Sequence, residues 1–120
     1  RQVKRDKNHV EVIDEMRRCG VWVDEIFEPL DTLCSYQGYI ALVEIKVSDK
    51  TEQFTKKQIE YIATAPFPVI IAKSGAEAVE ALKNRSQVTT TQKTRLLAML
   101  LRTPKDKYTS LDIRKILQTG

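Results

Sequence analysis

One nearly continuous apolar segment, residues 39–47 with the sequence YIALVEIKV, constrains the fold more than any other part of the chain. It is rich in residues that favour strands, so the sequence predicts a β-strand there. Two charged residues, Glu44 and Lys46, interrupt it. Their side chains are expected on the same face, because side chains alternate along a strand. Burying an unpaired charge costs on the order of several kcal/mol, so this pair requires an explanation.

A second carboxylate is expected to join the pair. Residues 33–36 can form a short strand, and the Gln-Gly sequence at 37–38 is typical of a tight turn, so residues 31–47 are predicted to form a hairpin. In that hairpin Asp31, thirteen positions before Glu44, falls beside it. Two carboxylates and an ammonium group then converge. The simpler alternatives are a salt bridge on the sheet or a surface cluster of charges.

Such a grouping suits the hydrolysis of a phosphodiester. Two carboxylates can hold Mg²⁺ or Mn²⁺, cations that prefer oxygen ligands and retain water molecules for contact with a phosphate. The backbone carbonyl of Ile45 is a natural further ligand. Lys46 can orient the attacking water or stabilise the charge that develops on the phosphate.

The rest of the chain predicts a single sheet flanked by helices, an α/β fold. Periodicity and turn residues give the order α, β, β, β, α, β, α up to residue 82. The helices are predicted at 8–18, 53–64 and 76–82, and the strands at 21–27, 33–36, 39–47 and 69–72.

The C-terminal segment differs from the rest in its charge. Residues 1–82 contain eleven Lys and Arg against fourteen Asp and Glu, a sum of −3, whereas residues 83–120 contain nine against two, a sum of +7. We therefore expect an α/β domain at 1–85 and a basic helical extension at 86–120, either a helical hairpin or a partial helix-turn-helix. The extension is a candidate for contacts with phosphates, the alternative being a solvated tail.

Composition excludes several classes of protein. With 42% hydrophobic and 30% charged residues, the chain is too apolar for a disordered protein. No apolar run approaches the roughly 18–20 residues that cross a bilayer, so no membrane span is expected. Two cysteines and one histidine are too few for a tetrahedral zinc site or a disulfide scaffold, so we expect a reducing, cytoplasmic setting. The chain starts with Arg1 rather than methionine, from which we expect a trimmed chain.

The pattern Asp31-x12-Glu44-Ile45-Lys46 resembles the motif of the PD-(D/E)XK nuclease superfamily. The resemblance extends from about residue 5 to residue 82 and is closest to small VRR-NUC-like and Holliday-junction-resolvase-like members of phages and bacteria. Other segments that carry it are Gly20-Val21-x-Val23, Tyr36-Gln37-Gly38, Thr55-x-x-Gln58, Pro68-Val69-Ile70-Ile71 and Glu77-Ala78.

This resemblance implies a restriction-endonuclease-like core and a metal-dependent endonuclease that acts on DNA. Asp31 and Glu44 would be the metal ligands, and Lys46 would assist the attack of water. Glu11 corresponds to an acid that completes the site in many relatives, and Gln58 to a polar position near it. A bacterial or phage protein that acts as a homodimer is implied as well, since cutting both strands takes two sites.

The sequence is also consistent with two other functions. It does not indicate whether the substrate is a linear duplex, a flap, a branched junction or RNA. Leu30 separates Pro29 from Asp31, whereas the family motif has adjacent Pro and Asp, which favours a catalytically inactive nuclease-fold module that binds nucleic acid or a protein partner. The other alternative is an assembly protein whose C-terminal helices pack against another copy. The candidate contacts with nucleic acid are Lys56, Lys57, Lys93, Arg95 and Arg102.

Overall fold

Helices and short strands alternate along the chain in the computed structural model, which describes residues 7–48 and 52–118. In chain order the elements are α1 (Lys7–Arg18), β1 (Trp22–Glu25), β2 (Thr32–Tyr36), β3 (Tyr39–Ile45), β4 (Gln53–Thr55), α2 (Lys56–Thr64), β5 (Val69–Ala72), α3 (Gly75–Lys83), α4 (Thr90–Arg102), β6 (Lys107–Thr109) and α5 (Ser110–Gln118). Among the described residues, no helix is long and apolar enough to cross a membrane.

Four strands form a mixed sheet in the order β1-β2-β3-β5. The first three are antiparallel, and β5 runs parallel to β3. The predicted hairpin is confirmed, with Thr32 opposite Val43 and Tyr36 opposite Tyr39. Its turn residues, Gln37 and Gly38, have φ angles of 47° and 85°, which is the left-handed backbone that a two-residue hairpin turn requires.

One face of this sheet packs against α1 and α3. Val43, Ile45 and Ile70 point to that side and share a buried cluster with residues of the two helices, among them Met16 and Leu82. This packing follows from the alternation of side chains, which sends every second residue of β3 and β5 to the same face.

The opposite face packs against α2 and the C-terminal segment. Leu42 and Val69 share a cluster with Ile59 of α2, Leu96 of α4 and Ile113 of α5. The predicted class, an α/β fold with a mixed sheet between helices and a helical C-terminal segment, is confirmed. The boundary after residue 85 stays a prediction, and apolar contacts cross it.

The predicted helix over 53–64 is wrong in its first three residues, which form β4. Phe54 is buried there and pairs with Tyr108 of β6, a partner 54 positions later that a local pattern does not reveal. The helix begins at Lys56 because Thr55 and Gln58 form a capping box, each side chain bonding the backbone N–H of the other.

A row of side chains across the first three strands is left uncovered by α2. Trp22 is opposite Ser35, which is in turn opposite Ile40. Trp22 and Ile40 are 57% and 59% exposed, so an apolar strip lies at the turn end of the hairpin. The homodimer implied by the resemblance stays a prediction.

Candidate active site

The predicted metal ligands Asp31 and Glu44 lie at the open end of the hairpin, where β2 begins and β3 ends. Thr32 is opposite Val43, so the next pair along the hairpin is Asp31 and Glu44. Glu44 points to the same face of β3 as Leu42, the face that packs against α2. Because the hairpin turn has two residues, two positions that are thirteen residues apart can lie opposite each other, and the two acids are therefore brought together.

Each of the two carboxylates accepts a hydrogen bond from the backbone of the other strand segment. The N–H of Asp31 donates to Oε1 of Glu44 over 2.8 Å, and the N–H of Ile45 donates to Oδ2 of Asp31 over 2.8 Å. The N–H and C=O groups of one strand residue point toward the same neighbouring strand. Since the N–H of Ile45 points to Asp31, the carbonyl of Ile45 is directed to that side as well. Two carboxylates and one main-chain carbonyl thus share this edge of the sheet.

Lys46 is fixed beside Glu44 by three contacts. Its Nζ lies 3.1 Å from Oε2 of Glu44 and donates to the carbonyl of Gln53 over 2.8 Å. It also lies 4.8 Å from the centre of the Phe54 ring, a distance at which a cation is attracted to the ring face. Its side chain is only 12% exposed, so the ammonium group is held in place rather than free in solvent.

Gln58 connects the site to the start of α2. Its Nε2 donates to Oε2 of Glu44 over 3.2 Å, while its Oε1 accepts from the N–H of Thr55 over 3.0 Å. A primary amide supplies a donor and an acceptor at once, which a carboxylate does not. The residue that caps the helix therefore also positions the Glu44 carboxylate.

Burial dominates the electrostatics of Glu44, which is 1% exposed. Loss of water raises the pKa of Glu44 from 4.5 to about 7, and the nearby charge of Asp31 acts in the same direction. The ammonium of Lys46 and the hydrogen bond from Asp31 oppose that rise in pKa. An ionised Glu44 is therefore stabilised only in part by this chain's own groups, and a cation would complete the compensation.

The raised pKa of Glu44 predicts a pH-dependent stability of the metal-free protein. Below about pH 4.5 this carboxyl is protonated whether the chain is folded or unfolded, and its stabilising contribution is fully present. Between about pH 4.5 and 7 only the unfolded chain releases the proton, so the free energy of unfolding falls, by roughly 3 kcal/mol in all.

Urea denaturation in EDTA across this range measures the effect, with Glu44→Gln as the reference that lacks the titrating group. As the pH rises, the free energy of unfolding of the wild type should fall relative to that of Glu44→Gln. A difference that is constant with pH would contradict the prediction.

The structure brings four of the predicted site residues together, namely Asp31, Glu44, Lys46 and Gln58. Glu11 is exposed on α1 and takes no part in the contacts described above.

The five basic residues predicted to contact nucleic acid lie in different surroundings. Lys56 and Lys57 are exposed in the first turn of α2, and Arg102 is exposed at the end of α4. Arg95 is half-buried on α4. The Nζ of Lys93 donates to the carbonyl of Ala65 over 2.8 Å, which satisfies the C-terminal end of α2.

Two grooves adjoin the site, one lined in part by Gln58 and the other by Lys46. The first, of about 690 Å³, includes Phe27, Pro29, Lys57, Gln58 and Tyr61. The second, of about 300 Å³, includes Lys46, Lys73, Glu77, Ser110 and Arg114. Each groove thus contains one of the two residues that contact Oε2 of Glu44, Gln58 in the first and Lys46 in the second.

Sequence reasoning missed Phe54, Lys73 and Arg114 as neighbours of the site. The position of Lys73 could have been predicted from a parallel pairing of the two strands, because Lys73 directly follows β5 as Lys46 directly follows β3. Phe54 falls within the helix predicted over 53–64, an assignment that gives no indication of its contact with Lys46. Arg114 carries no such signal, since its place depends on how α5 packs.

The donor set fits a hard divalent cation. Within the part of the chain that the structure describes, no group of three His, Cys, Asp or Glu side chains could hold a metal ion. Two carboxylates and one carbonyl are nevertheless typical of Mg²⁺ sites, in which the protein supplies one or two carboxylates and water fills other positions.

No protein-family model, no curated protein and no solved structure matches the chain.

Proposed function

We propose that this protein is a divalent-metal-dependent endonuclease of the PD-(D/E)XK type, with a restriction-endonuclease-like core, that hydrolyses phosphodiester bonds in DNA. The observation that supports it most is the convergence of Asp31, Glu44 and Lys46 at the open end of the hairpin. The orientation of the Ile45 carbonyl toward the same edge adds to this support.

Each side chain of the site has a role in this proposal. Asp31 and Glu44 hold Mg²⁺ or Mn²⁺ together with the carbonyl of Ile45. The cation, when bound, neutralises charge on the scissile phosphate and makes a coordinated water more acidic. Lys46 orients the attacking water and stabilises the negative charge that develops on the phosphate, at no cost of reorganisation because its ammonium is already fixed. Gln58 keeps the Glu44 carboxylate in place through its hydrogen bond.

One set of contacts favours the alternative, an inactive nuclease-fold module that binds nucleic acid or a protein partner. Oε2 of Glu44 already has two partners, Lys46 and Gln58, and Oδ2 of Asp31 has the N–H of Ile45. The site is thus largely satisfied by the chain itself. In this alternative the basic C-terminal segment binds DNA and no bond is cleaved.

Cleavage of supercoiled plasmid in Mg²⁺, Mn²⁺, Ca²⁺ or EDTA separates the two functions. We expect nicked and linear products in Mg²⁺ or Mn²⁺ and none in EDTA. Asp31→Asn should lower the rate by on the order of a hundredfold or more, because an amide is a weaker ligand for a hard cation than a carboxylate. Asp24→Asn, an exposed acid on β1, is the matched control and should cleave as the wild type does.

Isothermal titration of Mn²⁺ into the same proteins shows whether the loss occurs at metal binding. Heat of binding in the wild type that is absent in Asp31→Asn supports the assignment. Wild-type protein that binds plasmid but neither binds Mn²⁺ nor cleaves would establish the inactive module instead. Equal cleavage by Asp31→Asn and the wild type would show that the site lies elsewhere.

A further inference from the structure

We propose that the groove lined by Lys46 binds a DNA phosphate, the one next to the scissile phosphate on the same strand. Lys73 and Arg114 are the residues that bind it. This inference rests on the proposed nuclease function and gives the C-terminal segment a direct role in it. Four elements contribute to the groove, namely the ends of β3 and β5, the start of α3 and the helix α5.

Lys73 lies beside Lys46 because β3 and β5 are parallel and in register. Ile45 is opposite Ala72, and the N–H of Lys46 donates to the carbonyl of Ala72 over 2.9 Å. The two lysines therefore leave neighbouring strands at the same edge of the sheet. Ligands of open α/β sheets bind at the carboxyl ends of parallel strands, where these two cations stand.

Arg114 is placed by a backbone carbonyl that directly precedes the one that holds Lys46. The carbonyl of Gln53 accepts from Nζ of Lys46, and the preceding carbonyl, that of Glu52, accepts from both the N–H and the Oγ of Ser110 over 3.2 and 3.0 Å. Ser110 is the first residue of α5, and Arg114 follows it by four positions, which puts both on one face of the helix.

Burial keeps α5 in this position. Ser110 is 4% exposed and Ile113 is 1% exposed, so the helix is anchored in the apolar cluster on the α2 side of the sheet. The buried residues of α5 therefore hold Arg114 at the groove, beside the ends of β3 and β5.

The charges of the lining favour an anion. Lys46, Lys73 and Arg114 are cations, and among the lining residues that the structure describes the one acid, Glu77, accepts from the N–H of Lys73 over 3.0 Å at the start of α3. A guanidinium binds a phosphate through two parallel hydrogen bonds, and an ammonium binds it as a point charge. In a nuclease that holds the scissile phosphate at Lys46, the anion nearest this groove is the next phosphate of the same strand.

Binding of a fluorescein-labelled DNA duplex, measured by anisotropy in Ca²⁺ over a series of salt concentrations, tests the inference. Arg114→Gln and Lys73→Gln should each weaken binding by about tenfold, and each should lower the slope of log K against log salt by about one. In Mg²⁺ the same loss should appear as a higher DNA concentration for half-maximal cleavage, because the two residues bind a phosphate that does not react.

Two further variants make the result specific. Lys83→Gln removes an exposed charge at the opposite end of α3 and should bind as the wild type does. Arg114→Lys keeps the charge and should recover part of the affinity, which a merely structural role of Arg114 would not predict. Thermal unfolding of each variant confirms that it is folded.

The failure of this inference and that of the nuclease function give different results. If wild-type protein binds and cleaves DNA while Arg114→Gln and Lys73→Gln bind with unchanged affinity and slope, the phosphate site is wrong and the nuclease function stands. A loss of cleavage rate with unchanged binding would also overturn the phosphate site. Wild-type protein that neither binds nor cleaves DNA would overturn both.

Discussion

Replacing Glu44 by glutamine is expected to lower the rate of metal-dependent cleavage by on the order of a thousandfold, equivalent to about 4 kcal/mol of transition-state stabilisation. The amide has the shape of the carboxylate, and its oxygen can still accept from the N–H of Asp31. It carries no charge, however, and so it is a poor ligand for Mg²⁺. Single-turnover cleavage of plasmid measures the rate, and circular dichroism measures retention of the fold.

The exposed acid Glu60 on α2 provides the control for Glu44→Gln. Glu60→Gln changes the net charge equally at an exposed position outside the hairpin contacts and should retain the wild-type rate. Retention of more than about a tenth of the rate by Glu44→Gln would contradict its role as a metal ligand.

Phe54→Ala is expected to lower the free energy of unfolding by about 3–5 kcal/mol. Phe54 is 1% exposed and is one of the largest fully buried side chains of the described residues. Its removal leaves a cavity in the buried cluster that Phe54 shares with Ile59 and Ile62 of α2, and it takes away the ring over which the Lys46 ammonium lies. Urea denaturation measures the loss, which is a large part of the stability of a domain of this size.

Two comparisons separate the packing of Phe54 from its contact with Lys46. Phe67, which is 41% exposed, serves as the control, and Phe67→Ala should cost less than about 1 kcal/mol. Phe54→Leu retains most of the apolar volume but no ring, so we expect a folded protein with a reduced cleavage rate. A cost of less than about 1 kcal/mol for Phe54→Ala would show that this part of the core is not packed around it.

The juxtaposition of Asp31 and Glu44 could be predicted because its determinants are local. A two-residue turn at 37–38 and the alternation of side chains along β3 are enough to bring the two acids side by side. The pairing of β4 with β6 could not be predicted in the same way. Each strand has three residues and its partner lies more than fifty positions away, so neither shows a pattern of its own.

The position of α5 beside the site was out of reach for a related reason. The sequence predicts a helical C-terminal extension, and the charge of that extension predicts contacts with phosphates, but the orientation of Arg114 depends on the bonds of Ser110 to the carbonyl of Glu52. The role of Leu30 likewise became clear only from packing. It is fully buried in the cluster with Leu42 and Phe54, so the residue that separates Pro29 from Asp31 anchors the approach to the site.

The two hydrogen bonds between the acids and the opposing backbone also favour one register of the hairpin over the others. A slip of one residue between β2 and β3 would turn Glu44 to the other face of the sheet and break the bonds to the amides of Asp31 and Ile45 at once. The acids therefore stabilise one alignment over its neighbours. A descendant of this chain that replaced them by apolar residues would leave two amides without acceptors, so loss of the acids would also weaken the folding specificity of the hairpin.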